Sequence, residues 1–246
     1  MATATCETPV VLVIGHRGAS AEAPENTPEA FALADRMGAD GVELDVRLWA
    51  DGSGEPRLVV HHDELPDDEG AVAAMPSFDE VLDACGERLL INVEIKNDAG
   101  DAEAYATHAV PLVIDAMRRR GSSWGSRFLI SSFSALTVDA CRQLAPEFAT
   151  AALMENVTES AISRAAAAGH VAIHPWHGSA TGEVVERAHA AGLAVNVWTA
   201  NDPDDLVALA DRGVDGACTD VPDIALDLLG RAGEPPAPTP RWARPA

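Results

Sequence analysis

Short apolar runs alternate with longer helix-patterned stretches from one end of the chain to the other. Eight of the runs read as strands: Val10–Gly15, Gly41–Leu48, Leu89–Lys96, Phe128–Ser131, Phe148–Leu153, Val171–His174, Leu193–Thr199 and Gly216–Thr219. The stretches that follow them, Thr27–Met37, Ser77–Ala84, Ala102–Arg120, Ala135–Leu144, Thr158–Ala168, Gly182–Ala191, Asp204–Asp211 and Pro222–Leu229, are rich in Ala, Leu, Glu and Arg. Several open on helix-start signals such as Ser77-Phe-Asp-Glu and Thr158-Glu, and several end near a glycine. Eight such alternations in 246 residues predict an α/β fold, a single-domain (β/α)8 TIM barrel, with an open doubly wound sheet as the competing arrangement. No GxGxxG or P-loop fingerprint follows any strand, which favours the barrel.

Two segments leave this rhythm. Trp49 to His62 carries Asp51-Gly52-Ser53-Gly54 between strand-like runs, so it reads as a hairpin at 49–62 that extends the second strand and returns along Arg57–His62. Arg231 to Ala246 is Pro- and Ala-rich without an apolar face and reads as a disordered tail, leaving the barrel domain at 8–230. Trp242 in that tail either is solvated or packs back on the barrel or a neighbouring chain.

Polar residues interrupt the strands at positions that matter. In Gly41-Val-Glu-Leu-Asp-Val the strand period of two sets Glu43 and Asp45 on one face and Val42, Leu44 and Val46 on the other. In Asn92-Val-Glu-Ile-Lys, Glu94 and Lys96 share a face in the same way. Three carboxylates converging at the C-terminal mouth of a barrel imply either a bound cation or raised pKa values; the alternative is pairing with Arg and Lys side chains in a solvated mouth. Ligands that are all oxygen suit a hard cation, Mg2+ or Ca2+, with Mn2+ also possible. His16 and Arg17 follow the first strand, where a barrel carries its chemistry, and His62 ends the returning hairpin. Two imidazoles can take a proton from a nucleophile and deliver one to a leaving alkoxide. His61 should point away from His62, and His108 and His189 lie on helix-like stretches. His170 precedes a strand, while His174 and His177 flank Pro175-Trp176 and can line the mouth.

Charge narrows the function classes. With 17 basic against 39 acidic residues the formal net charge is −22, so the surface as a whole repels nucleic acid and anionic membranes. An anionic substrate then needs a local positive centre, which again points to a bound cation. The first eight residues lack a basic n-region and Val10–Ile14 is too short for a signal peptide core or a membrane span, so a cytoplasmic protein without stable membrane insertion is expected. Cys6, Cys85, Cys141 and Cys218 form no CxxC pair and are expected to be mostly small buried hydrophobes.

The run His16-Arg17-Gly18 with Pro24-Glu25-Asn26-Thr27, then Glu43-Leu-Asp45-Val, Val59-Val-His61-His62-Asp63, Pro76-Ser-Phe-Asp-Glu-Val-Leu, Asn92-Val-Glu94-Ile-Lys96, Ser131-Ser-Phe133, Val197-Trp198-Thr-Ala-Asn201 and Gly213 to Pro222 resembles the glycerophosphodiester phosphodiesterase family from the first strand to the last. The resemblance implies a TIM barrel that hydrolyses glycerophosphodiesters to sn-glycerol 3-phosphate and an alcohol. It implies one divalent cation on Glu43, Asp45 and Glu94, with His16 and His62 as general acid and base. Arg17 and Lys96 match phosphate-holding positions, Glu25 and Asn26 match positions that support the metal site or the residues immediately around it, and Trp198 matches an aromatic that contacts the alcohol. Many family members carry a substantial insertion after the second histidine, whereas here only Glu64 to Met75 intervenes, so modest selectivity among head groups is expected. The competing functions are lysophospholipase D-like action on bulkier lipids and a non-catalytic barrel that binds a phosphorylated ligand.

Overall fold

The computed structural model describes residues 10–50, 56–97 and 102–234. Eight parallel strands close on one another: β1 (Leu12–His16), β2 (Gly41–Ala50), β4 (Leu90–Ile95), β5 (Phe128–Ser132), β6 (Ala149–Met154), β7 (Ala172–Pro175), β8 (Ala194–Val197) and β9 (Gly216–Thr219). β1 pairs with both β2 and β9, which completes the ring. A ninth strand, β3 (Pro56–Val60), lies antiparallel on the outer half of β2, with Val46 opposite Val60 and Ala50 opposite Pro56. The turn joining them, which includes Asp51 to Gly54, lies outside the described residues, as do Cys6 and Trp242.

Outward positions of the strands meet the helices. Val42, Leu44 and Val46 of β2 and Ile91, Val93 and Ile95 of β4 pack with Phe31, Phe78, Val113 and Met117 in one large cluster. Burying a side chain of this size contributes roughly 1.5–3 kcal/mol. Inward positions change character along each strand. β1 runs Leu12, Ile14, His16; β4 runs Leu90, Asn92, Glu94; β7 runs Ala172, His174. The floor is therefore apolar, built from small clusters such as Leu129, Ala151, Ala172 and Ala194, and the C-terminal end is polar. Helix caps fix where the chain leaves each helix: Thr27 accepts from Ala30 N–H at the start of the helix Pro28–Met37, and Gly38 ends it with φ 92°.

The single helix expected over Ala102–Arg120 is broken. A wider π-type turn at Tyr105–Ala109 separates Ala102–Ala104 from the helix Val110–Arg119. Pro111 sits in the first turn of that last helix, and with no N–H it cannot continue the preceding ladder. At the other end, Arg231, counted with the tail on composition, is buried and forms a double hydrogen bond to buried Asp40 at 2.6 and 2.8 Å. Its guanidinium also donates to Val11 O at 3.0 Å, so the ordered barrel continues through this residue. Cys85, Cys141 and Cys218 are buried and unbridged, with burial pushing the Cys85 and Cys141 thiols up to about 12.

Candidate active site

Strand register assembles the site. His16 stands beside Glu43, and Asp45 beside Glu94, because β1 and β4 flank β2 in parallel alignment. Ligand oxygens of Glu43, Asp45 and Glu94 lie within 4.8 Å of one another, and all three residues are buried. Burial together with the neighbouring carboxylates Asp45 and Glu94 pushes Glu43 well above the usual carboxylate range. Glu94 is raised by burial and by Asp45. Burial also opposes ionisation of Asp45, but Lys96, Asn26 and Arg17 outweigh it and hold this carboxyl below its ordinary value.

Two cations enter the cluster. Lys96 Nζ lies 2.9 Å from Glu94 and 3.3 Å from Asp45, and Arg17 Nε lies 3.3 Å from Asp45. Among the described residues, Arg17 also pairs with Glu25 at 2.8 Å, so the three buried carboxylates are short of positive charge. Glu43 Oε2 accepts from Arg17 N–H at 3.1 Å, whereas Oε1 is buried with no hydrogen-bond partner among the described residues. An orphaned buried oxygen, excess negative charge and an all-oxygen donor set fit a hard divalent cation.

The supporting residues divide. Asn26 donates to Asp45 Oδ2 at 2.8 Å and accepts Asp45 N–H at 3.3 Å, so it steadies one carboxylate of the cluster. Glu25 is half exposed and meets the cluster only through Arg17, with which it pairs at 2.8 Å. The reason is local, since Asn26 adopts φ 58° and turns inward while its neighbour stays at the surface.

His16 and His62 both line the cleft. His16 Nδ1 lies 2.6 Å from Asp220, and His62 Nδ1 lies 2.8 Å from Asp63. Burial lowers the pKa of His62, and its bond to Asp63 only partly offsets that. Arg47, which also points inward from β2, donates twice to His62 O and so fixes the end of the hairpin. Asp220 was not singled out from sequence. The available signal was its position directly after the last strand, at the end of the barrel where polar residues carry function.

Ile14, Phe133, Leu153, Val197 and Trp198 supply the apolar part of the cleft lining. Phe133 meets Trp198 edge to face at 5.4 Å, and Trp198 Nε1 donates to His174 O at 2.9 Å. His174 lies deep in the cleft, where burial drives its pKa down to about 3. His177 turns outward to Asp205, and His170 is held between Thr150 and Asp139. The cleft has about 580 Å³ of space, part of it open to solvent, and none of Glu64 to Met75 lines it.

Eight parallel strands closed around an apolar floor, with a charged cleft at their C-terminal ends, define a (β/α)8 barrel built to receive an anionic substrate. The sequence pattern of the glycerophosphoryl diester phosphodiesterase family matches residues 16–73 and 66–224. The uncharacterized protein YqiK of Bacillus subtilis (strain 168) is 32% identical over 247 residues, covering 88% of this chain and 98% of its own. A glycerophosphodiester phosphodiesterase of Caldanaerobacter subterraneus is 28% identical over 250 residues, covering 90% and 99%. An Oleispira antarctica phosphodiesterase, solved with the product sn-glycerol-3-phosphate, shares the fold with a TM-score of 0.77 at 22% identity, over 90% of this chain and 97% of its own. The chain belongs to the glycerophosphoryl diester phosphodiesterase family.

Proposed function

We propose that this chain hydrolyses glycerophosphodiesters to sn-glycerol 3-phosphate and an alcohol, with one divalent cation, Mg2+ or Ca2+ or alternatively Mn2+, held by Glu43, Asp45 and Glu94. The observation that carries this reading is the meeting of three buried carboxylates, two cationic side chains and two carboxylate-anchored histidines in one cleft. The product bound by the Oleispira antarctica phosphodiesterase supports the substrate class.

When bound, the cation supplies Lewis-acid polarisation of a phosphoryl oxygen. Arg17 and Lys96 place positive charge where the non-bridging oxygens develop negative charge in the transition state. Because each histidine gives its Nδ1–H to a carboxylate, Nε2 is the atom left to take up or release a proton at both. One imidazole takes a proton from the nucleophile, either water or the substrate's adjacent glycerol hydroxyl, and the other protonates the departing alkoxide. Trp198, with Phe133, offers the apolar wall for the alcohol.

The direct test is incubation with glycerophosphocholine. Equal amounts of sn-glycerol 3-phosphate and choline are expected, whereas phosphocholine and glycerol would mean cleavage of the wrong ester bond. The open cleft gives a specificity ratio below about a thousandfold between head groups, which corresponds to roughly 4 kcal/mol of discrimination; a larger ratio in kcat/KM contradicts it. One observation favours a second reading, lysophospholipase D-like action at the same centre: Phe133, Leu136 and Trp176 are exposed where the chain leaves β5 and β7. Lysophosphatidylcholine in the same assay tests it, and choline release supports it. Among the described residues no helix is long and apolar enough to cross a membrane, and a cytoplasmic location belongs to this proposal.

A further inference from the structure

Asp220 sits in a hydrogen-bond clasp more elaborate than a surface ion pair requires. Its Oδ1 meets His16 Nδ1 at 2.6 Å and accepts from Ser20 Oγ at 2.9 Å, while its Oδ2 accepts from Asn201 Nδ2 at 2.6 Å. Asn201 is itself fixed, because its Oδ1 accepts from Thr219 Oγ1 at 3.0 Å and from Asp220 N–H at 2.8 Å. The backbone adds one more tie, Ala21 N–H to Asp220 O at 3.1 Å, which joins the loop after β1 to the end of β9. By contrast, Asp63, the partner of His62, has its side chain 81% exposed.

We infer that Asp220 is a positioning residue that fixes the tautomer and orientation of His16, with Asn201 setting the orientation of Asp220. This rests on the reading of His16 as a proton-transfer group. A carboxylate only accepts hydrogen bonds, so Nδ1 of His16 must carry its proton and Nε2 is left facing the cleft. Burial opposes ionisation of Asp220, but the three side chains that bond its carboxylate, His16, Asn201 and Ser20, outweigh it and keep it ionised, with a pKa of about 2. Any imidazolium formed at His16 is stabilised by that charge.

The clasp gives the substitution Asp220→Asn a definite outcome. Asn201 presents its amide NH2 to Oδ2 and cannot turn over, because its carbonyl oxygen is occupied by Thr219 and by a backbone N–H. The new amide at position 220 must therefore direct its oxygen toward Asn201 and its NH2 toward His16. That forces the proton of His16 from Nδ1 to Nε2, and the imidazole can no longer accept a proton in the cleft. Adding Asn201→Asp reverses the chain of donors. The carboxylate at 201 then accepts the NH2 at 220, and the amide oxygen at 220 returns to His16 Nδ1–H.

Steady-state hydrolysis of glycerophosphocholine in the presence of Mg2+ or Ca2+, and imidazole nitrogen shifts of the same proteins by NMR, test this with His16→Ala as reference. For Asp220→Asn we expect kcat to fall about a hundredfold or more, the scale of a misplaced catalytic group, with KM within about threefold. The His16 tautomer should change to Nε2–H. For Asp220→Asn with Asn201→Asp we expect at least about a tenfold recovery of kcat and a return to Nδ1–H. A single variant with unchanged kcat and tautomer, or a double variant no better than the single, overturns the role of Asp220. Activity retained by His16→Ala would instead overturn the reading of His16 on which it rests.

Discussion

His16 and His62 are reached by different routes in the chain, yet each has Nδ1 on a carboxylate and its ring in the cleft, His16 on the clasped Asp220 and His62 on the exposed Asp63. Replacing either with Ala is expected to lower kcat by roughly 10²- to 10⁴-fold, the scale of acid–base assistance, while metal binding and the folded spectrum persist. Near-normal turnover in either variant contradicts the assignment. These histidines and the three carboxylates were legible in sequence because strand alternation decides which side chains share a face, and the strand ends decide which lie at the mouth. The clasp of Asp220 with Asn201 and Ser20 was not: Asn201 and Asp220 fall in stretches that carry the family resemblance, but their meeting depends on the loops after β1, β8 and β9 converging, which no local periodicity encodes. Glu25 and Asn26 show that neighbours in sequence can act at different depths, Asn26 on Asp45 directly and Glu25 through Arg17.

At the scale of elements, the loop after β1 decides whether His16 and Arg17 can reach the cleft. Gly18 has φ 87°, and a Cβ there would lie 2.6 Å from the backbone carbonyl carbon of Ala30. The loop can pass over the helix Pro28–Met37 only because position 18 has no side chain. Gly18→Ala is therefore expected to destabilise by about 2–4 kcal/mol, combining overpacking with left-handed strain. Thermal unfolding would show this as a Tm lower by about 5–15 °C, and an unchanged Tm contradicts it. The eight strands followed from the apolar runs, whereas the break in Ala102–Arg120 did not, because the Ala-rich stretch before Pro111 and the Leu-, Met- and Arg-containing stretch after it both read as helix, and a proline is tolerated in the first turn of a helix. Arg231 escaped for a similar reason: its partner Asp40 lies nearly the whole chain away, and the composition around it describes a tail.

For the molecule as a whole, the barrel buries ionisable groups that set its acid response. His174 is buried, accepts from Asn196 Nδ2 at 3.0 Å, and has its pKa driven down to about 3 by burial. Above about pH 6.5 both folded and unfolded chains hold this ring neutral. As pH falls from there toward 3, the unfolded chain takes up the proton and the folded one does not, so stability declines, by up to about 1.4 kcal/mol per pH unit. Urea unfolding between pH 6 and pH 4 should show this slope, with His174→Gln flatter by about one proton; equal slopes contradict it. His170, also held low by burial despite Asp139, leaves part of the slope in the variant.

The same logic of unshared charge governs the active cleft. A net charge of −22 surrounds a pocket that must admit an anion, and inside it three buried carboxylates meet Arg17 and Lys96 among the described residues. Release of sn-glycerol 3-phosphate from glycerophosphocholine, followed before chelation, after chelation and after return of Mg2+, Ca2+ or Mn2+, in parent and in Glu43→Gln, tests this most directly. Activity should vanish on chelation, return with at least one of these ions, and fail to return in the variant. Turnover that survives complete chelation, or a variant as active as the parent, contradicts a cation-dependent centre on Glu43, Asp45 and Glu94.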